Sequence, residues 1–230
     1  MNLDKNPIQI IDISPLISKD LGVFPGDKTF ERHTNLSFES GHNLELSSIE
    51  TTLHLGAHTD APNHYHSEGM GIHERSLHYY LGDCQVVEIK TASGENNRII
   101  PSDFDGDSIK SPRVLFKTNS FPDPDNWNSD FYSFAPETIE LLASKHVITV
   151  GIDTPSVDPE NDKDLLTHNQ IFKFNLAIIE GIVLKDVDPG HYFLSALPLK
   201  IKDADAAPCR AVLIKEVGHA EAFQSAKLDR

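Results

Sequence analysis

Residues 8–14 alternate apolar and polar positions until Pro15 interrupts them, the pattern of a strand with one face on a core. Val23-Phe24-Pro25-Gly26-Asp27 reads as a turn. Residues 44–55 look extended, with β-branched Ile49, Thr51 and Thr52, and this predicted strand delivers the chain to Gly56. Apolar runs at 84–89 and 114–117 predict two more strands, and the polar stretch between them, rich in Asp, Gly, Ser and Asn, predicts a surface loop. The segment around Phe121-Pro122-Asp123-Pro124 is also expected to be loop. Pro136 suits the first position of a helix, with Glu137 near its positive end and Ile139, Leu142 and Ala143 at helical spacing behind it. That helix should end near Lys145-His146. A buried strand at 147–152 then completes a β-α-β unit with a parallel pair, and places Asp153-Thr154-Pro155 at a strand's carboxyl end, where open α/β sheets bind ligands. Further strands are expected at 178–184, 193–199 and 210–215. With no internal repeat and no linker-like composition shift, these elements predict one α/β domain over residues 1–230, its sheet mixed and strand-rich, its helices few.

Composition narrows the setting. A chain of 230 residues, 39% of them hydrophobic, can bury a sizeable core. Its 20 Lys and Arg against 35 Asp and Glu give a net charge of −15, which repels phosphate backbones and anionic bilayers, so neither nucleic acid nor a membrane is an expected partner. Cys84 and Cys209 are the only cysteines and both fall in apolar stretches, which argues against a disulfide framework. The N-terminal residues lack a basic region followed by a long apolar one, and the apolar runs are far shorter than the roughly 20 residues a bilayer requires. A soluble cytoplasmic protein is the expectation.

The chemistry lies in residues 54–64, HLGAHTDAPNH, which hold three imidazoles and one carboxylate. Gly56, Thr59 and Pro62 make a helix improbable here, so a loop leaving a strand is expected to bring His54 and His58 together, with Asp60 as a further donor. Histidines are also ordinary surface residues, and His66, His73 and His78 are read that way. No cysteine accompanies the cluster, so the residue types suit an open, water-bearing divalent site better than a closed structural zinc site. Such an ion lowers the pKa of water from about 15.7 to near 7 and polarises a carbonyl oxygen, which suits hydrolysis at neutral pH. Two other residues are ambiguous on their own. Glu180 sits among Ile178, Ile179, Ile182 and Val183, either buried and held by a metal or ion pair, or at a sheet edge facing water. His168 reads as an ordinary residue at a helix start.

IDISPLIS, VFPGD, HLGAHTDAPNH, YLGDCQVVEI, FAPETIELLA, GIDTPSVDP, HNQIFKFNLAIIEGIVL and LSALPLK together make the chain resemble the bacterial kynurenine formamidases, within the cyclase family of metal-dependent hydrolases. The histidine-rich motif marks the broad family; GIDTPSVDP, EGIVL and ALPLK point to the formamidases. The resemblance implies a swivelling β/β/α-like fold, a homodimer, and two zinc ions per subunit, with manganese as the alternative metal. It implies His54 and His58 on the first ion, His168 on the second, Asp60 and Glu180 shared, and His64 as the general acid/base. It also implies hydrolysis of a small aryl formamide, N-formyl-L-kynurenine, to L-kynurenine and formate in tryptophan breakdown. Phe24 falls at a position where a family member has a Trp that stacks on the substrate ring; Phe can still stack, with less area. Two alternatives stand beside this reading: a related hydrolase of a cyclic amide such as isatin or of another aryl formamide, and a non-catalytic metal-binding protein.

Overall fold

The computed structural model describes residues 8–216. Along them run β1 (Ile8–Asp12), β2 (Glu31–Leu36), β3 (Leu46–Glu50), β4 (His58–Asp60), α1 (Pro62–Tyr65), β5 (Leu81–Glu88), β6 (Arg98–Ile99), β7 (Arg113–Lys117), β8 (Ser133–Phe134), α2 (Pro136–Ser144) and β9 (Thr149–Ile152). There follow α3 (Leu166–Phe174), β10 (Ala177–Ile179), β11 (Gly190–Ser195), β12 (Ala206–Pro208) and β13 (Val212–Glu216).

Seven of these strands form one mixed sheet in the order β1-β13-β11-β5-β7-β9-β10. The first three pairings are antiparallel. From β5 to β10 every pairing is parallel. Parallel strands with both faces covered need apolar residues at successive positions, and β7 has them. Val114 and Phe116 pack with Ile139 and Leu142 of α2 and Ile171 of α3, while Leu115 points to the opposite core with Val86 and Ile179. The β7-α2-β9 unit is as predicted: Val114 lies opposite Val150 in the parallel register, and Pro136 occupies the first turn of α2. The turn at Pro25-Gly26 is also found, closed by a bond from Asp27 N to Phe24 O.

The strand expected at 193–199 is β11, which starts earlier and ends at Ser195, and three other sequence expectations need correction. The extended stretch at 44–55 is a strand only over β3, which pairs with β2 in a hairpin outside the main sheet; Leu46 and Ile49 are therefore exposed, and the chain to Gly56 has no ladder partner. The polar stretch at 90–112 is not all surface loop. It contains β6, whose Arg98 and Ile99 are buried because they pair with β8 beneath α3. The strand expected at 178–184 stops at Ile179, since Gly181 turns the backbone to φ +63°. Among the described residues, no helix is long and apolar enough to cross a membrane.

Candidate metal centre

The carboxyl ends of β9 and β10 open into a cleft, and the histidine-rich segment crosses that opening. Two glycines make the crossing feasible. Gly56 and Gly181 both have positive φ, and a Cβ on Gly181 would lie 2.1 Å from the carbonyl oxygen of Gly56. Only bare backbone permits so close an approach. Just beyond it, His58 N donates to Glu180 O at 3.1 Å and Glu180 N donates to His58 O at 3.0 Å. This single β-bridge locks two remote segments together with their side chains facing one site. Asp60 follows on β4, which β12 holds from its other side through the pairing of Asp60 with Ala206. His168 enters from the first turn of α3.

All five residues expected to bind metal converge. His54 Nδ1 lies 3.0 Å and His58 Nε2 3.5 Å from Asp60 Oδ1, while His168 Nε2 lies 3.3 Å from Asp60 Oδ2. Glu180 divides its oxygens in the same way: Oε2 is 3.2 Å from His58 Nε2, and Oε1 is 4.0 Å from His168 Nε2. Each carboxylate thus shows one oxygen to the His54–His58 side and the other to the His168 side. His58, Asp60, His168 and Glu180 are all buried, which resolves the ambiguity of Glu180 in favour of an internal carboxylate.

Two atoms test whether this donor set fits a cation. His58 Nε2 and Asp60 Oδ1 are buried and neither has a hydrogen bond of good geometry, although the His54 ring nitrogen lies 3.0 Å from Asp60 Oδ1. An unsatisfied buried polar atom costs about 1–3 kcal/mol, so two of them facing each other call for something between them. The outer nitrogen of His58 is already spoken for, since Nδ1 lies 2.9 Å from Gly56 O and must carry the proton in that bond. Its Nε2 lone pair is left pointing at the carboxylates, as a metal ligand requires. The residues fit a divalent ion.

The electrostatics agree with that fit. Burial alone would raise the Asp60 carboxyl, but the facing His54, His168 and His58 hold it well below its ordinary range. Burial also pulls the two imidazoliums down, yet carboxylate neighbours prevail: His54 rises to about 9 beside Asp60, and His168 to about 10 between Asp158 and Asp60. The pocket is thus strongly cation-seeking. His64 behaves oppositely, because desolvation pushes it below its ordinary value and leaves it neutral at pH 7. It stands at the cleft rim at the end of α1, its ring 4.2 Å from that of His54 and 6.0 Å from that of His168.

The cleft has a volume of about 350 Å³. Phe24 is in its wall, 37% exposed and edge-on to Trp127 at 5.5 Å between centroids. Trp127 is anchored by its Nε1, which donates to Glu160 at 2.6 Å. Asp153 lies in the cleft lining at the carboxyl end of β9, as predicted, although its carboxylate is spent on Thr118 and Asn119. His66 stacks on Phe172 and His73 accepts from Asp203 N, so both are the ordinary residues they were read to be.

Four residues of the surroundings escaped the sequence reading. Asp205 accepts from His54 Nε2 at 3.1 Å, and Asp158 from His168 Nδ1 at 2.8 Å. Arg98 supports Asp158, and Trp127 supports Phe24. Asp158 stands within GIDTPSVDP, so the motif carried a signal that went unassigned; the other three lie in stretches with no distinguishing pattern.

A mixed α/β sheet whose parallel strands end at a buried cluster of imidazoles and shared carboxylates defines a class of protein with a site able to hold divalent cations. The chain belongs to the Cyclase family, whose model matches residues 11–159. It is similar to the structure of a "potential metal-dependent hydrolase with cyclase activity", at 30% identity and a TM-score of 0.77, over 90% of this chain and 98% of that one. A "predicted metal-dependent hydrolase" from Bacillus stearothermophilus gives 30% identity and a TM-score of 0.75 over the same shares of both chains. Isatin hydrolase A from Labrenzia aggregata, at 20% identity and a TM-score of 0.76 over 93% of this chain and 96% of that one, shares the fold.

Proposed function

We propose that this protein is a divalent-metal-dependent amide hydrolase acting on an aryl formamide, with N-formyl-L-kynurenine, cleaved to L-kynurenine and formate, as its first candidate substrate. One observation carries the reading: three imidazoles and two buried carboxylates, two of their atoms without a well-aligned hydrogen bond, meet on the floor of a cleft with an aromatic wall. In this reading His54 and His58 would hold one ion and His168 a second, with Asp60 and Glu180 available to both. The nitrogen and carboxylate donors favour zinc, with manganese as the alternative. A divalent ion bound there supplies water made acidic enough to ionise near pH 7 and a polarised carbonyl.

The chain's own side chains do the rest. Asp60 and Glu180 present one oxygen to each side, which sets the spacing of the donor groups. His64, neutral and at the rim, takes and returns the proton that the leaving aryl amine needs. Phe24 and Trp127 offer ring faces and edges to the aryl group. Tyr65, packed 5.1 Å from the His168 ring, stays a neutral phenol because burial lifts its pKa.

Isatin, a cyclic aryl amide, is the second candidate: the same chemistry opens a ring amide, and proteins named isatin hydrolases share this fold. The test is an absorbance assay of kynurenine release from N-formylkynurenine and of isatin opening, each with and without a chelator. Loss of turnover on chelation and recovery with zinc are expected. Metal-loaded protein that opens neither substrate would leave a non-catalytic metal-binding protein instead. Replacing His168 with Ala should release one equivalent of metal, and retention of both ions would end the two-ion assignment. The homodimer implied by the family resemblance is part of this proposal, to be read by light scattering.

A further inference from the structure

The three imidazoles of the cluster are braced in different ways on the side away from it. His58 leans on a neutral carbonyl, that of Gly56, and His54 on Asp205, whose side chain is 49% exposed. His168 leans on Asp158, whose side chain is 1% exposed. Asp158 is itself over-determined. Its Oδ1 accepts from Arg98 Nη1 at 2.9 Å and Thr167 N at 3.0 Å, and its Oδ2 accepts from His168 N at 3.0 Å as well as from the ring. It thereby caps the first turn of α3, which Leu165 at the N-cap position does not do. Arg98 Nη1 also donates to Phe134 O and Thr167 Oγ1, at 2.6 and 2.7 Å, and Nη2 pairs with Asp162.

A buried Arg–Asp pair is a weak source of stability, because desolvation of two charges offsets their attraction. What such a pair does well is fix geometry. A carboxylate that accepts two backbone N–H groups and an Arg can only accept again from the ring, so Nδ1 of His168 carries the proton and Nε2 faces Asp60 and Glu180.

We propose that Asp158, clamped by Arg98, is a positioning residue that orients His168 toward the shared carboxylates and so sets the affinity of the inner of two cation sites, independently of the His54–His58 side. This rests on the reading of the cluster as a divalent metal centre. The test uses the full chain with Zn2+ as the probe, by elemental analysis and chelator competition, beside far-UV circular dichroism and the melting of chelator-stripped protein. Wild type should bind two ions. Asp158→Asn should bind one with unchanged affinity and the other about 10- to 100-fold more weakly, the usual cost of losing such a carboxylate partner. Arg98→Lys, which keeps the charge but loses the fork, should weaken the same ion by a smaller factor. In a His168→Ala background, Asp158→Asn should weaken the remaining ion no further, because the two residues act on the same site.

If Asp158→Asn does not fold, Arg98→Lys decides alone. Equal weakening of both ions, or of neither, in a folded variant would overturn the proposal while leaving the metal centre standing. A wild type that takes up no divalent ion would overturn both.

Discussion

The two sides of the site are built in opposite ways. The outer side, His54, His58 and His64, comes from one run of eleven residues that crosses the cleft mouth; His54 leans on a half-exposed acid and His64 stands at the rim. The inner side, His168 and Glu180, comes from two elements that meet only in the folded protein, and it is buried and braced by an Arg–Asp pair. Between them stand Asp60 and the bridge from His58 to Glu180. On the proposed reading the two sides divide the labour: the inner side fixes geometry, and His64 at the rim, its side chain 34% exposed, carries the proton chemistry.

The largest expected effect erases the distinction. Glu180→Gln removes a carboxylate facing both sides, so both ions should weaken and turnover should fall on the order of 10⁴-fold, since the ionised nucleophile and the polarised carbonyl go together. Full metal content with near-normal turnover would refute the bridging role. His64→Ala should sharpen the contrast, with turnover falling on the order of 10²-fold while metal content stays at the wild-type level, the scale of one general acid/base. Asp205→Asn should weaken only the outer ion, by about tenfold, at the low end for such partners because this carboxylate is half in water. An effect on the inner ion would show that the two sides are not separable.

The smallest effect is in pH. In chelator-stripped protein, His54 and His168 are raised from 6.5 to about 9 and about 10. A raised value stabilises the fold fully below pH 6.5, and that contribution disappears as pH climbs through the folded values. Metal binding runs the other way, because it needs neutral imidazoles and so strengthens with pH. The melting temperature of zinc-loaded protein should therefore pull away from that of stripped protein between pH 6.5 and 9, and a constant gap would contradict the assignment.

This contrast also explains what the sequence revealed. The donors of the outer side were legible because they are contiguous, although residues 58–60 form β4 and 62–65 the short helix α1 where a loop was expected, and the β7-α2-β9 unit was legible because periodicity and Pro136 mark it. His168 and Glu180 were visible only through the family resemblance, since nothing local says that one helix start and one apolar run will meet. Arg98 was hidden altogether. The residues before it, Glu95-Asn96-Asn97, are polar, and pairing between β6 and β8 carries it inside.

The contact between Gly56 and Gly181 joins the two arms of the site without any side chain. An alanine at 181 would act as a wedge at the joint, and every donor beyond it would be displaced together while remaining chemically intact; one at 56 would instead press on Pro15 and Leu21 at a positive φ. Anyone transplanting the histidine-rich run to another scaffold would have to carry both glycines with it, for the ligand sequence alone specifies the donors but not where they meet.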